Sequence, residues 1–477
     1  MNTVVAHSPD RSVARVEPLV IDVELIRKYG GNGPRYTSYP TADRFVEAFD
    51  DRAYRHYLGQ RNADGITRIR PLGVYLHVPF CDTLCFYCAC NKIATKDHAR
   101  AHRYVAQLET ELKLVAGALG GERKLSRMHW GGGTPTFLAD DDAAHLMRRL
   151  RETFDFDPAG EHSIEIDPRR AGPERIEQLA SLGFNRLSIG VQDFDPAVQR
   201  AVNRIQSVEE TKAVIDAGRR HGFRSINLDL IYGLPKQTQA GFAATIEQVV
   251  ALDPDRIALY SYAHLPALFQ PQQRILQADL PFPEVKLALL AHAIERLGAA
   301  GYAYIGMDHF AKPTDELAIA QVQGRLTRDF QGYSVGSDSD LIGLGVSSIG
   351  KIGPTYVQNI KQQDLYQLAL ECGRLPVLRG LELSRDDLLR RAVIQALACQ
   401  FTVAKESFES GYLIDFDRYF ATELKALAPL ADDGLVELES GWINVTARGR
   451  LVVRAVCMVF DRYLRAAQER GTYSRIV

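Results

Sequence analysis

Long apolar runs are missing from this 477-residue chain, and so is an excess of charge of either sign. Within the first 20 residues Asp10, Arg11, Arg15 and Glu17 interrupt whatever hydrophobicity is present, so a secretory signal is not expected. Near the other end Leu451–Phe460 is the longest apolar stretch, but Arg454 breaks it and it is far shorter than the roughly 20 residues that cross a bilayer. Lys plus Arg number 57 against 59 Asp plus Glu, which argues against nucleic acid or any other general polyanion as a partner. Cysteine is scarce too, at seven residues, which argues against a disulfide-stapled scaffold and fits a reducing, cytoplasmic setting.

What cysteine there is sits together. Cys81, Cys85 and Cys88 stand at CxxxCxxC spacing, with Cys90 two residues on, just after the strand-like run Val74–Val78. Three thiolates from one short loop can hold three corners of a 4Fe-4S cluster. Such clusters normally take four protein thiolates, so one iron is left for an exogenous ligand unless Cys90 or a distant cysteine completes the set. Structural zinc is the weaker reading, because it favours paired CxxC knuckles separated by a spacer and His77 lies on the wrong side of the loop. A disulfide is weaker still, since Cys372, Cys399 and Cys457 are scattered singly through apolar helical stretches.

The length allows about three domains, and the pattern suggests boundaries at 1–70, 71–360 and 361–477. Residues 1–70 form a leader whose centre, Gly30 to Thr41, is rich in Gly, Pro and Tyr and has neither helical nor alternating period. It reads as an ordered loop lying over something, or as a plain linker. Short β-branched or apolar runs then recur at Val74–Val78, Arg127–Trp130, Ser163–Ile166, Arg186–Val191, Ser225–Ile231 and Arg256–Tyr262, with amphipathic helical stretches between them. Six β-then-α units predict an α/β fold with a parallel sheet and helices outside. Each run ends in unusual chemistry: Cys81, the Gly131-Gly132-Gly133 run, Glu165, Gln192, Asp229 and the Tyr262-Ala263-His264 segment. Active sites of βα barrels, and ligand sites of open sheets, form at the C-terminal ends of the strands. Beyond about 376 the chain reads as mostly helical with one hairpin, Leu435–Leu438 and Trp442–Thr446, which makes a small winged-helix-like module.

Tyr75 to Lys92, together with Gly131-Gly132-Gly133-Thr134-Pro135, resembles the radical S-adenosylmethionine superfamily. Gly33 to Thr41, Gly190 to Phe194, Asp229 to Pro235, Gly306 to Phe310 and Gln331-Gly332-Tyr333 are similar, more narrowly, to the family of oxygen-independent coproporphyrinogen III oxidases. The resemblance implies a partial (β/α)6 TIM-like barrel, one 4Fe-4S cluster on Cys81, Cys85 and Cys88, and two S-adenosylmethionine molecules. It implies oxidative decarboxylation of two propionates of coproporphyrinogen III to vinyl groups in haem synthesis, with an external electron donor and acceptor and a monomeric chain. By the same match Tyr75, Gly132, Glu165 and Ile349 go to the first S-adenosylmethionine. Gly133, Thr134, Gln192, Arg204, Asp229 and Ala263 go to the second, with Tyr87 beside it where an aromatic is expected.

Tyr75 and Cys90 are the candidate catalytic residues. Cys90 either donates a hydrogen or tunes the site, or simply lines the pocket. Arg35 in the leader is the candidate for a substrate propionate, because Arg binds carboxylates bidentately, or it braces the leader. Two other functions share the barrel and the cluster loop: a haem-binding chaperone and a radical methyltransferase that opens haem. Cys90 and the leader and post-barrel motifs weigh against the chaperone.

Overall fold

The computed structural model describes residues 19–61, 70–336 and 339–466; parts of the expected leader and C-terminal module, at 1–18, 62–69 and 467–477, lie outside them. Its centre is one large sheet. In chain order the strands are β1 (Leu72–Val78), β2 (Lys124–Gly132), β3 (Asp155–Ile166), β4 (Arg186–Gln192), β5 (Ser225–Tyr232), β6 (Arg256–Ser261), β7 (Ala303–Gly306) and β8 (His309–Ala311). A separate hairpin, β9 (Leu326–Asp329) and β10 (Gly332–Val335), is followed by β11 (Asp340–Leu344), β12 (Ile349–Ile352), β13 (Thr355–Asn359) and β14 (Val377–Glu382). Their order in space is β14-β13-β12-β11-β1-β2-β3-β4-β5-β6-β8-β7.

β1 to β6 are parallel neighbours in sequence order, as the alternating pattern predicts. β11 adds a further parallel strand on the free side of β1, and the remaining strands are antiparallel. The sheet ends in two different edges, β14 and β7, so it curls as an open barrel without closing. The Gly-rich run from 332 to 353 thus contributes strands. At Gly343 a Cβ would meet the backbone of Ile349 at 2.9 Å, so only glycine lets β11 and the start of β12 approach so closely. The sheet also runs past 360, because β14 pairs with β13 from Val377 to Glu382.

Side-chain alternation divides the barrel into two layers. On β1, Val74, Leu76 and Val78 are buried outward in the main core, while Tyr75 and His77 face the other way and hydrogen-bond each other inside. The outer layer is made by helices at His98–Ala118, Asp140–Thr153, Pro173–Ser181, Val208–Arg220, Gln239–Leu252 and Pro283–Ala299. Their starts are written in the sequence: Asp97 and Thr238 cap two of them, and Ser207 with Glu210 forms a capping box on a third. None of the described helices is long and apolar enough to cross a membrane.

The lower, N-terminal end of the barrel is filled with charge that pairs internally. Arg127 of β2 meets Asp329 at 2.5 Å and Ser334 on the β9–β10 hairpin. Arg186 of β4 meets Glu161 at 3.1 Å and also Glu316. Arg256 of β6 lies 2.9 Å from Asp315, which also accepts from Ser225 Oγ and the Leu317 amide.

The leader is an ordered strap. Tyr36 and Tyr39 are buried; the Tyr36 hydroxyl donates to Asp461 at 3.0 Å, and the Tyr39 hydroxyl accepts from the Arg462 amide at 3.2 Å. Arg454 donates to the carbonyls of Gly33 and Pro34. The C-terminal region packs the helix Arg385–Gln400 against a three-stranded sheet of Thr402–Ala404, Val436–Leu438 and Trp442–Val445, which includes the expected hairpin.

Candidate active site

β1 runs straight into the thiol loop. Phe80–Cys81 pairs with Ile93–Ala94, the Ile93 amide reaches the Pro79 carbonyl at 2.7 Å, and the Thr95 amide reaches the Cys81 carbonyl at 2.9 Å. The loop is thereby closed at its base. Its crown is pinned to the barrel rim: Asn203 Nδ2 donates to the Leu84 carbonyl at 2.8 Å, the Phe86 amide to the Val202 carbonyl at 2.9 Å, and Gln272 Nε2 to the Tyr87 carbonyl at 3.0 Å.

Cations and hydroxyls point at the sulfurs. Arg204 Nη1 lies 3.7 Å and Arg169 Nη2 3.9 Å from Cys85 Sγ, and Thr134 Oγ1 lies 3.5 Å from Cys81 Sγ. Lys92 Nζ bridges the Cys88 and Cys90 carbonyls at 3.0 and 3.3 Å. Burial pushes the Cys81 thiol up to about 11. A hydrogen bond from Cys90, helped by Lys92, draws Cys88 down to about 6, and Cys90 is raised by the same pairing. Soft thiolate donors fit an iron-sulfur cluster.

Next to the thiols, the turn after β2 is stripped of side chains because there is no room for them. A Cβ on Gly131 would lie 2.6 Å from Glu165 Oε1, and one on Gly132, at φ +115, would lie 2.6 Å from the His77 ring. The freed Gly132 amide donates to Glu165 Oε2 at 3.1 Å. His129 holds the other oxygen at 3.1 Å and is itself fixed by Ser163 Oγ at 2.6 Å. Burial alone would raise the Glu165 carboxyl, but His129 and the Gly132 amide outweigh it and hold it below the usual carboxylate range. The Tyr75 ring stacks on His129, and its hydroxyl donates to His77 Nδ1 at 3.0 Å, leaving His77 Nε2–H to bond the Asn91 carbonyl at 2.9 Å. Asp229 accepts from Asn227 Nδ2 at 2.8 Å and Ser188 Oγ at 3.1 Å, yet burial and the neighbouring Glu165 push it up to about 7.

One cavity of about 170 Å³ collects Cys81, Cys85, Cys88, Cys90, Tyr87, Gly132, Gly133, Thr134, Glu165, Gln192, Arg204 and Asp229. Four sequence-predicted residues are not among its walls. Tyr75 stands one layer back behind His129. Ala263 follows β6 on the rim, and Ile349 opens β12 across from Gly343, the register partner of Tyr75. Arg35 is remote from the thiols, over the Tyr260 ring and 3.2 Å from Asp308.

Sequence reasoning missed the residues that orient these groups. Asp167 binds Arg169 at 2.6 Å and Arg204 at 3.5 Å, and so aims both guanidiniums at Cys85. His129 and Ser163 do the same for Glu165. The available signal was position: Asp167 and Arg169 directly follow β3, and His129 and Ser163 alternate in register with Glu165 on adjacent strands.

Comparison with known proteins gives these residues their context. Residues 75–249 match the family model described as the radical SAM superfamily, and residues 383–452 match the model described as the HemN C-terminal domain. The curated oxygen-independent coproporphyrinogen III oxidase of Pseudomonas aeruginosa is 49% identical over 96% of this chain and 98% of its own length. That of Escherichia coli is 47% identical over 97% of this chain and 100% of its own. The solved E. coli coproporphyrinogen III oxidase, described as a radical SAM enzyme, superposes with a TM-score of 0.88 at 46% identity, covering 94% of this chain and 100% of that one. With its thiol loop, glycine turn and strand-end carboxylates set in one cavity, this chain belongs to the oxygen-independent coproporphyrinogen III oxidases, within the radical SAM superfamily.

Proposed function

We propose that this chain converts two propionate side chains of coproporphyrinogen III to vinyl groups, giving protoporphyrinogen IX. Each conversion removes one hydrogen atom from the propionate β-carbon, releases CO2 and passes one electron to an external acceptor. When bound, the cluster and S-adenosylmethionine supply the 5'-deoxyadenosyl radical that takes the hydrogen. Everything else falls to the protein's own groups.

Cys81, Cys85 and Cys88 would hold the cluster, with Arg169 and Arg204 stabilising thiolate charge at Cys85. Glu165 and the Gly132 amide, locked by His129, present an acceptor and a donor suited to the amino-acid end of one S-adenosylmethionine. Gly133, Thr134, Gln192, Arg204 and Asp229 form the wall for a second molecule, with Ala263 at its rim. Tyr75 and Ile349 back the first. Cys90 stays outside the ligand set, free to donate a hydrogen or shape the pocket. The leader and the C-terminal module, taken here as units separate from the barrel, exclude water from the reacting side chain. The chain acts as a cytoplasmic monomer served by an external electron donor and acceptor.

The observation that carries this reading is the convergence of the thiols, Glu165 and Asp229 on one cavity. Anaerobic incubation with coproporphyrinogen III, reductant and S-adenosylmethionine tests it. Two CO2 and one protoporphyrinogen per macrocycle are expected, whereas tight haem binding without CO2 release would replace the enzyme by a carrier.

A further inference from the structure

Where the leader meets the barrel, the Arg35 and Arg328 side chains gather near Asp308. Arg35 Nη1 lies 3.2 Å from Asp308 Oδ2 and stacks over the Tyr260 ring at 5.7 Å. Arg328 stacks on the Tyr333 ring at 4.7 Å and gives its Nε to the Arg35 carbonyl at a long 3.4 Å. Arg454 donates to the carbonyls of Gly33 and Pro34. Other nearby carboxylates are engaged: Asp329 by Arg127, and Asp461 by the Tyr36 hydroxyl.

The unmatched donor is buried. Arg328 is 5% exposed, and its Nη1 has no hydrogen-bond partner among the described residues. A buried guanidinium with an unfilled donor is costly unless a ligand completes it. The surroundings favour an organic ligand. Arg328 borders a cavity of about 330 Å³ together with Thr37 of the leader, while Tyr260 and Tyr333 border a second that contains Asp229. Flat rings beside guanidinium forks suit a carboxylate carried on a pyrrole.

We propose that Arg35 and Arg328 form a carboxylate subsite that takes a propionate of the tetrapyrrole other than the one losing hydrogen, and so sets which side chain reaches the radical. The inference rests on the substrate reading above and adds to it the anchor and its residues.

Steady-state kinetics with coproporphyrinogen III under anaerobic conditions tests it, alongside iron content, melting temperature and S-adenosylmethionine cleavage without substrate. R328Q and R35Q should each raise KM at least about tenfold, with kcat changed by less than about threefold and iron content unchanged. R328K should recover part of the loss. D308N removes a competing carboxylate and should leave KM unchanged or lower it. An unchanged KM in both glutamine variants overturns the proposal, and so does a D308N defect equal to that of R35Q, which would make the pair a brace for the leader. Should R328Q fail to fold, R35Q and competition by the tetramethyl ester of coproporphyrinogen decide. The ester should compete poorly with wild type and no worse with R35Q; tight competition with wild type overturns the subsite. A wild type that yields no protoporphyrinogen would fail the substrate reading itself, whereas normal wild-type turnover with insensitive variants fails the subsite alone.

Discussion

The two ends of the parallel strands carry similar chemistry to opposite purpose. At the lower end Arg127, Arg186 and Arg256 each meet an acidic partner from the chain itself, which offsets their charge although one guanidinium nitrogen of each has no hydrogen-bond partner. At the upper end the thiols of Cys81, Cys85 and Cys88 and the carboxylates of Glu165 and Asp229 line open space, held in position by neighbours that leave part of their capacity unused. Polar content alone therefore does not mark the site. What marks it is thiols and carboxylates gathered on one cavity, at the end where backbone turns rather than a hairpin meet the strands.

The sharpest break of this comparison is at the thiols. Replacing Cys81, Cys85 or Cys88 by Ser should abolish iron and sulfide incorporation and all S-adenosylmethionine cleavage, whereas C90S should retain the cluster; iron and sulfide counts after anaerobic reconstitution read both. At the lower end D315A should strand Arg256 and destabilise the fold by about 3–5 kcal/mol in urea unfolding, while the molecules that remain folded keep their iron. The reverse holds for D229N. Product formation should fall on the order of 10- to 100-fold, about 1.4 to 2.7 kcal/mol of lost stabilisation, with cluster and melting temperature preserved.

The mildest test concerns Glu111, on the buried face of the outer helix His98–Ala118, where it accepts from the Gly345 amide, Asn359 and Tyr366. Burial pushes its carboxyl up to about 7. Below its ordinary value of 4.5 both folded and unfolded chains hold the proton, and between 4.5 and 7 only the folded chain does. Its stabilising contribution is therefore lost as pH rises through that window, by at most about 3 kcal/mol. E111Q should flatten the pH dependence of the melting temperature there, and an unaltered slope would contradict the assignment.

Much of this was legible beforehand because it is local. The short apolar runs of β1 to β6 and the CxxxCxxC loop each declare themselves within a few residues, and the strand-end positions of Glu165 and Asp229 follow once the strands are placed. Illegible were the pairings between distant segments. β11 joins β1 beyond the expected six units because its hydrophobic run looks like any other apolar stretch in a Gly-rich region. β14 extends the sheet past 360 through a partner that no period reveals. The role of Asp167 as the aim of two arginines depends on Arg204, 37 residues away, and appears only in three dimensions.

The strap formed by the leader sets an order of events during synthesis. Tyr36 docks on Asp461, 425 residues later, and Arg454 closes on Gly33 and Pro34 across a similar span. At roughly 5–20 residues per second a ribosome needs about 20 to 85 seconds to make that stretch. The thiol loop, whose cysteines all precede residue 91, therefore emerges long before the leader can dock on the C-terminal region. A product truncated before Arg454 carries every thiol of the loop and none of the residues that hold Gly33, Pro34 and Tyr36 in place.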